Sequence, residues 1–166
     1  MNIYIRTNFS NNTGLGHLMR CSRLSLELSK KGYKCLFFLD KPNYLINIKF
    51  KKFYIYENDK KYLNEIEDAK KFCRLTKDMG PGIVLLDDYR FSKTWERYIS
   101  KMHKKVIIFD DLENNDHYAD FIINYNPKNF PIIKYNFNRN KKKNCKFLIH
   151  PQFNIVEKNV FLKDKK

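Results

Sequence analysis

The chain has 166 residues, 43% hydrophobic and 16% aromatic, with a formal net charge of +15. That is enough apolar chain for one domain with a buried core, and no run approaches the roughly 20 apolar residues of a membrane span. Cys21, Cys35, Cys73 and Cys145 are scattered without a C-x-x-C pair, which excludes a zinc or disulfide framework and leaves buried free thiols. The lysines are spread along the chain, densest at Lys141-Lys142-Lys143 in an expected loop, and read as solvated surface ahead of nucleic-acid binding. The N-terminus shows no basic region followed by an apolar run, so the expected compartment is the cytoplasm.

Ile3 to Arg6 reads as a strand, followed by a polar loop from Thr7 to Thr13. Leu18, Cys21, Leu24, Ser25 and Leu28 recur with the period of a helix, and Lys30-Lys31-Gly32 supplies last-turn cations and a glycine cap. Cys35 to Leu39 and Phe53 to Tyr56 are the next strands. Tyr62, Ile66, Ala69 and Cys73 then mark an amphipathic helix that stops before Gly80-Pro81-Gly82. Ile83 to Leu86, Val106 to Phe109 and Phe121 to Ile123 are continuous apolar runs, the pattern of buried parallel strands. Between the first two, Ser92 caps a helix with an expected stripe of Trp95, Tyr98, Ile99 and Met102. From Asn136 the chain reads as a polar, basic tail with one apolar patch at Phe147 to Ile149. Alternating strands and helices predict an α/β fold, a Rossmann-like parallel sheet flanked by helices.

In such a sheet ligands bind beyond the carboxyl ends of the strands. Arg6 with Thr7, Asp87 with Tyr89, Asp110 with Asp111, and Asn124 with Asn126 all fall there. So does the turn Gly14-Leu15-Gly16-His17, where two glycines allow positive φ and close approach of a ligand. The helix start that follows offers free N–H groups to an anion. It also disfavours a cationic neighbour, so His17 is expected neutral and able to accept a proton. Met19 stands where a dinucleotide fingerprint has its third glycine, so Gly14-Leu15-Gly16 is only half of one.

Gly14-x-Gly16-His17-x-x-Arg20-Cys21-x-x-Leu24 resembles the signature turn of the nucleotide-sugar hydrolases of pseudaminic acid biosynthesis, which remove UDP from a diacetamido-trideoxyhexose. Asp87-Asp88-Tyr89 followed by Trp95-Glu96 is similar to the family's Asp-x-Tyr and Trp-Glu segment. Asp110-Asp111-Leu112, His117, Asp120 and Asn126 are similar to its Asp-Asp-Leu, His-x-x-Asp and final Asn. Pro151 and Phe153 resemble its Arg-Pro-Glu-Phe, with His150 and Gln152 replacing the Arg and Glu.

The resemblance implies the N-terminal half of a GT-B fold over residues 1–153, with 154–166 as a basic tail. It implies inverting hydrolysis at the anomeric carbon, His17 as base and Tyr89 beside it in the catalytic set. Arg6, Gly14, Gly16, Arg20, Asp87, Asp111 and Asn126 are then the expected substrate-binding residues. No cofactor or metal is implied. The expected partners are a UDP-linked diacetamido sugar, drawn in by the surplus positive charge, and a C-terminal nucleotide-binding domain acting in trans, with no membrane. Two alternatives stand beside this: a non-catalytic or split sugar-nucleotide-binding module, and a basic nucleic-acid-binding domain.

Overall fold

The computed structural model describes residues 1–8, 16–40, 53–56, 64–128 and 135–155. Seven strands form one parallel sheet: β1 (Asn2–Thr7), β2 (Lys34–Asp40), β3 (Phe53–Tyr56), β4 (Ile83–Asp87), β5 (Lys105–Phe109), β6 (Phe121–Asn124) and β7 (Lys146–Ile149). Their order across the sheet is β3-β2-β1-β4-β5-β6-β7. Every neighbouring pair is parallel, so all carboxyl ends share one edge. The fold is α/β and Rossmann-like, and the strand order reverses between β1 and β4. That reversal opens a crevice at the carboxyl edge.

Helix α1 (Gly16–Lys30) covers one face of the sheet, over Ile3, Ile5, Phe37, Leu85 and Phe109. Its Leu18 and Cys21 are buried, and Gly32, at φ +84°, closes it in the left-handed conformation. Helices α2 (Glu65–Thr76) and α3 (Lys93–Ile99) pack against each other on the opposite face. There Tyr4, Phe38, Phe72, Val84, Trp95 and Ile122 form the larger core. Asn64 caps α2 through Glu67 N, and Ser92 caps α3 as its sequence suggests. Gly82 is required by space: a Cβ there would lie 2.6 Å from both Asn2 O and Tyr4 Cε2.

Two elements differ from expectation. Helix α3 ends at Ile99, leaving Met102 about 40% exposed, and His103 turns inward instead. Its ring sits 5.2 Å from Tyr4 and 3.2 Å from Thr76 Oγ1, and burial lowers its basicity to about 4. The expected tail contributes strand β7, pairing Phe147 with Ile122 and Leu148 with Ile123. Of the expected 154–166 tail only Asn154 and Ile155 are among the described residues, and Gly14 and Tyr62 also lie outside them. No described helix is long and apolar enough to cross a membrane.

Candidate active site

The crevice between β1 and β4 is where α1 begins, so the first turn of that helix faces the last residue of β4. His17 and Arg20, three positions apart, lie on the same side of the helix. Both reach Asp87. His17 Nδ1 is 2.5 Å from Asp87 Oδ1. Arg20 grips the same carboxylate with two donors, Nε to Oδ2 at 2.8 Å and Nη2 to Oδ1 at 2.6 Å. Burial alone would raise the Asp87 carboxyl, but the hydrogen bonds from His17 and Arg20 hold it below the ordinary range. An ionised carboxylate only accepts, so Nδ1 carries a proton toward Asp87 and Nε2 is left as the basic nitrogen. Cys21 also leans on Asp87 Oδ2 at 3.4 Å, and burial followed by that charge pushes its thiol well above normal. The thiol is therefore not a nucleophile here.

Arg20 also organises β5 and β6. Its Nη1 donates to Asp111 Oδ2 at 2.6 Å and to the Tyr125 hydroxyl at 2.8 Å, and its guanidinium lies 4.2 Å from the Phe109 ring centre. Tyr89 completes the ring of contacts. Its edge packs on His17, centroids 4.5 Å apart, and its hydroxyl donates to Asp111 Oδ2 at 2.8 Å. Burial, reinforced by the Asp111 charge, raises the phenol, so it stays protonated. Asp111 keeps a second oxygen, Oδ1, buried with no hydrogen-bond partner among the described residues. Above this floor opens a hollow of about 160 Å³, walled by Asn8, His17, Asp87, Asp88, Tyr89 and Arg90.

The structure thus gathers His17, Arg20, Asp87, Tyr89 and Asp111 into one constellation and places Arg6 and Asn126 apart from it. Arg20 and Asp87 are buried and bonded to each other, and Asp87 also lines the hollow beside His17. Arg6 is fully buried away from the hollow, its Nη2 2.8 Å from both Asp68 and Asp40. It ties β1 to α2 and β2, and Trp95 Nε1 adds a bond to the same Asp68. Gly16 has an ordinary φ and nothing within 4 Å of a would-be Cβ, so its place does not depend on positive φ. Asn126 is exposed beyond β6, its backbone N–H bonded to Asn124 Oδ1. Asp120 sits at the opposite, amino edge of the sheet, accepting from Val106 N.

No family model matches the chain. It is similar to an uncharacterized protein of Methanocaldococcus jannaschii, with 30% identity over 125 residues. The match covers 75% of this chain but 25% of that protein, so the chain spans about a quarter of the length of the curated relative it matches.

Of two further groups near the crevice, sequence reasoning missed the first and quoted the second only as part of the resemblance, without a role. Arg90, half exposed at the rim, pairs with Asp88 at 2.5 Å and with Asp40 at 2.7 Å. Its only sequence signal is a position two residues after a strand-end acid. The second is a buried cluster behind the hollow, built on His117. His117 Nδ1 is 2.8 Å from Glu96 Oε1, and Nε2 is 3.5 Å from Asp110 Oδ2, which also accepts from Tyr135 at 2.6 Å. This cluster ties α3 to the β5 end and to residues 135–139; His117 thus braces the loops. Among the described residues no group of three His, Cys, Asp or Glu side chains is placed to hold a metal ion.

Charge at the crevice runs against the rest of the chain. Among the described residues Arg20 and Arg90 face Asp40, Asp87, Asp88 and Asp111, four carboxylates against two guanidinium groups. A floor with that balance disfavours a phosphate and suits an uncharged ligand rich in hydrogen-bond donors.

Proposed function

We propose that this domain holds the sugar end of a UDP-linked 2,4-diacetamido-2,4,6-trideoxyhexose and hydrolyses it at the anomeric carbon with inversion. The observation that carries this reading is the Asp87–His17 pair, clamped by Arg20 and opening on the hollow at the β1/β4 crevice. In the reaction, His17 Nε2 accepts a proton from one water as its oxygen bonds to the anomeric carbon. The anomeric C–O bond breaks, and its electron pair leaves on the UDP oxygen. The diphosphate departs as an anion, so no strong acid is required. Asp87 keeps the imidazole oriented and stabilises the charge it acquires. Tyr89, packed on the ring, accepts a hydrogen bond from the water or the sugar. The free Asp111 Oδ1 accepts from a hydroxyl or acetamido N–H.

The acidic floor formed by the described residues disfavours the diphosphate, which supports a reading as the sugar half of a GT-B pair. Since remote binding energy positions the reacting carbon, the domain alone is expected to bind UDP-sugar weakly and turn it over negligibly. The test measures UDP release by the chain alone and after adding the C-terminal half of a related hydrolase. Release only in the second case supports the reading. Robust release without a partner refutes the need for a second half. Silence in both favours a non-catalytic sugar-nucleotide-binding module.

A further inference from the structure

A second concave surface lies along the outer side of α3, formed with Ile66 of α2 and with residues that flank β6 and β7. It encloses about 550 Å³. Lys93, Arg97 and Lys101 follow at intervals of four residues along α3 and the turn after it, so the first two positions stand about 6 Å apart along the helix axis. Lys141 joins them from the segment before β7. One carboxylate offsets the four: Asp116, 2.7 Å from Lys93 and 3.9 Å from Lys141. Arg97 and Lys101 have no carboxylate partner among the described residues. Their charges lie over tyrosine rings instead, Arg97 5.9 Å from the Tyr118 centre and Lys101 5.8 Å from that of Tyr98.

We propose that this groove binds single-stranded nucleic acid. The spaced cations track successive phosphates, and as Arg97 and Lys101 swing from the rings to the phosphates an unpaired base takes the cation's place on Tyr118 or Tyr98, with Lys142 also beside the Tyr118 ring. A duplex hides its base faces from side chains of this kind, and an acidic polypeptide makes no use of the rings. The groove is independent of the His17 crevice, where acids outnumber cations. It also gives part of the +15 net charge a place to act.

The experiment is fluorescence anisotropy with a labelled oligouridylate of twelve nucleotides, at 50 and 200 mM salt, on the whole chain. Four phosphate contacts at about 0.7 each predict an affinity drop of roughly 50-fold between the two salts. Arg97→Glu with Lys101→Glu should weaken binding at least tenfold and roughly halve the salt slope. Tyr118→Leu, which keeps apolar bulk but removes the ring, should weaken binding about 5- to 100-fold with the slope unchanged. Lys31→Glu with Lys34→Glu, an equal charge change on exposed residues elsewhere, should cost less than threefold. Circular dichroism melts confirm that each variant is folded. The proposal fails if wild type does not bind at 50 mM, or if groove and control variants lose equally. It also fails if polyglutamate competes as well as the oligonucleotide and the tyrosine change has no effect.

Discussion

Stability should fall as pH rises from neutral toward 9, and His117 is the reason. Burial opposes its charge, yet Asp110 and Glu96 outweigh that and lift its basicity from 6.5 to about 9. Below pH 6.5 folded and unfolded chains both carry the proton, and the full stabilisation is present. As pH climbs, the unfolded chain releases its proton first, and the contribution is lost through about 9. The gap between the two values corresponds to roughly 3 kcal/mol. For a chain of this size that is a shift of about 6–12 °C in melting temperature. Tyr135 and Arg139, which face Asp110 from the far side, keep that acid ionised over the whole window. The four thiols, Cys21 and Cys73 buried as expected but Cys35 and Cys145 only half-buried, are all raised and add a common loss near and above pH 9. The readout is therefore the difference between wild type and His117→Gln in urea melts at pH 6.5, 8 and 9.5. Wild type should lead at pH 6.5 and lose most of that lead by 9.5. Parallel pH dependences in the two folded proteins would refute the reasoning.

Four further outcomes are expected. His17→Asn should preserve the melt but lower turnover about 10²–10⁴-fold in an assembly that releases UDP; near-normal turnover removes the base assignment. Asp87→Asn breaks the partner of a buried guanidinium, so a loss of about 3–5 kcal/mol in urea melts accompanies the loss of turnover. Tyr89→Phe should lower turnover while costing only about 0.5–1.5 kcal/mol; a large melt change with unaltered sugar binding makes the tyrosine a brace for Asp111. Arg6→Met leaves the buried Asp68 without its cation and should cost about 3–5 kcal/mol in melts with sugar affinity unchanged; weaker sugar binding at an unchanged melt would return Arg6 to the site.

Much of the sheet was legible because β4 and β5 are short apolar runs that only burial on both faces explains. Strand β7 was not legible, since Lys141 to Asn144 and Lys146 give it the polar surroundings of a tail. As an edge strand it needs fewer apolar residues, and Phe147 and Ile149 pack on the α2/α3 side of the sheet. Met102 fits a helical stripe by spacing, but α3 stops one turn early and His103 takes the buried place. At the site, residue type and strand-end position were enough to collect His17, Tyr89, Asp87 and Asp111. They could not say which of them face outward. The pairing of Arg6 with Asp68, 62 positions away, and of Arg20 with Asp87, 67 away, exists only once the sheet has formed. Those pairs draw both arginines inside the folded chain.

The position of β1 also bears on how the chain is made. It precedes the other six strands of this sheet in the chain yet lies near the middle of the finished sheet, between β2 and β4. One side is satisfied early, when Lys34 to Phe38 appears. The other waits for β4, whose Asp87 pairs with Thr7 about 80 positions upstream. At ~5–20 residues per second that interval is roughly 4–16 s, during which an apolar strand edge stays open on the nascent chain. Fragments that stop short of Asp87 keep that edge permanently, and copies of such a fragment have a ready template for pairing with one another.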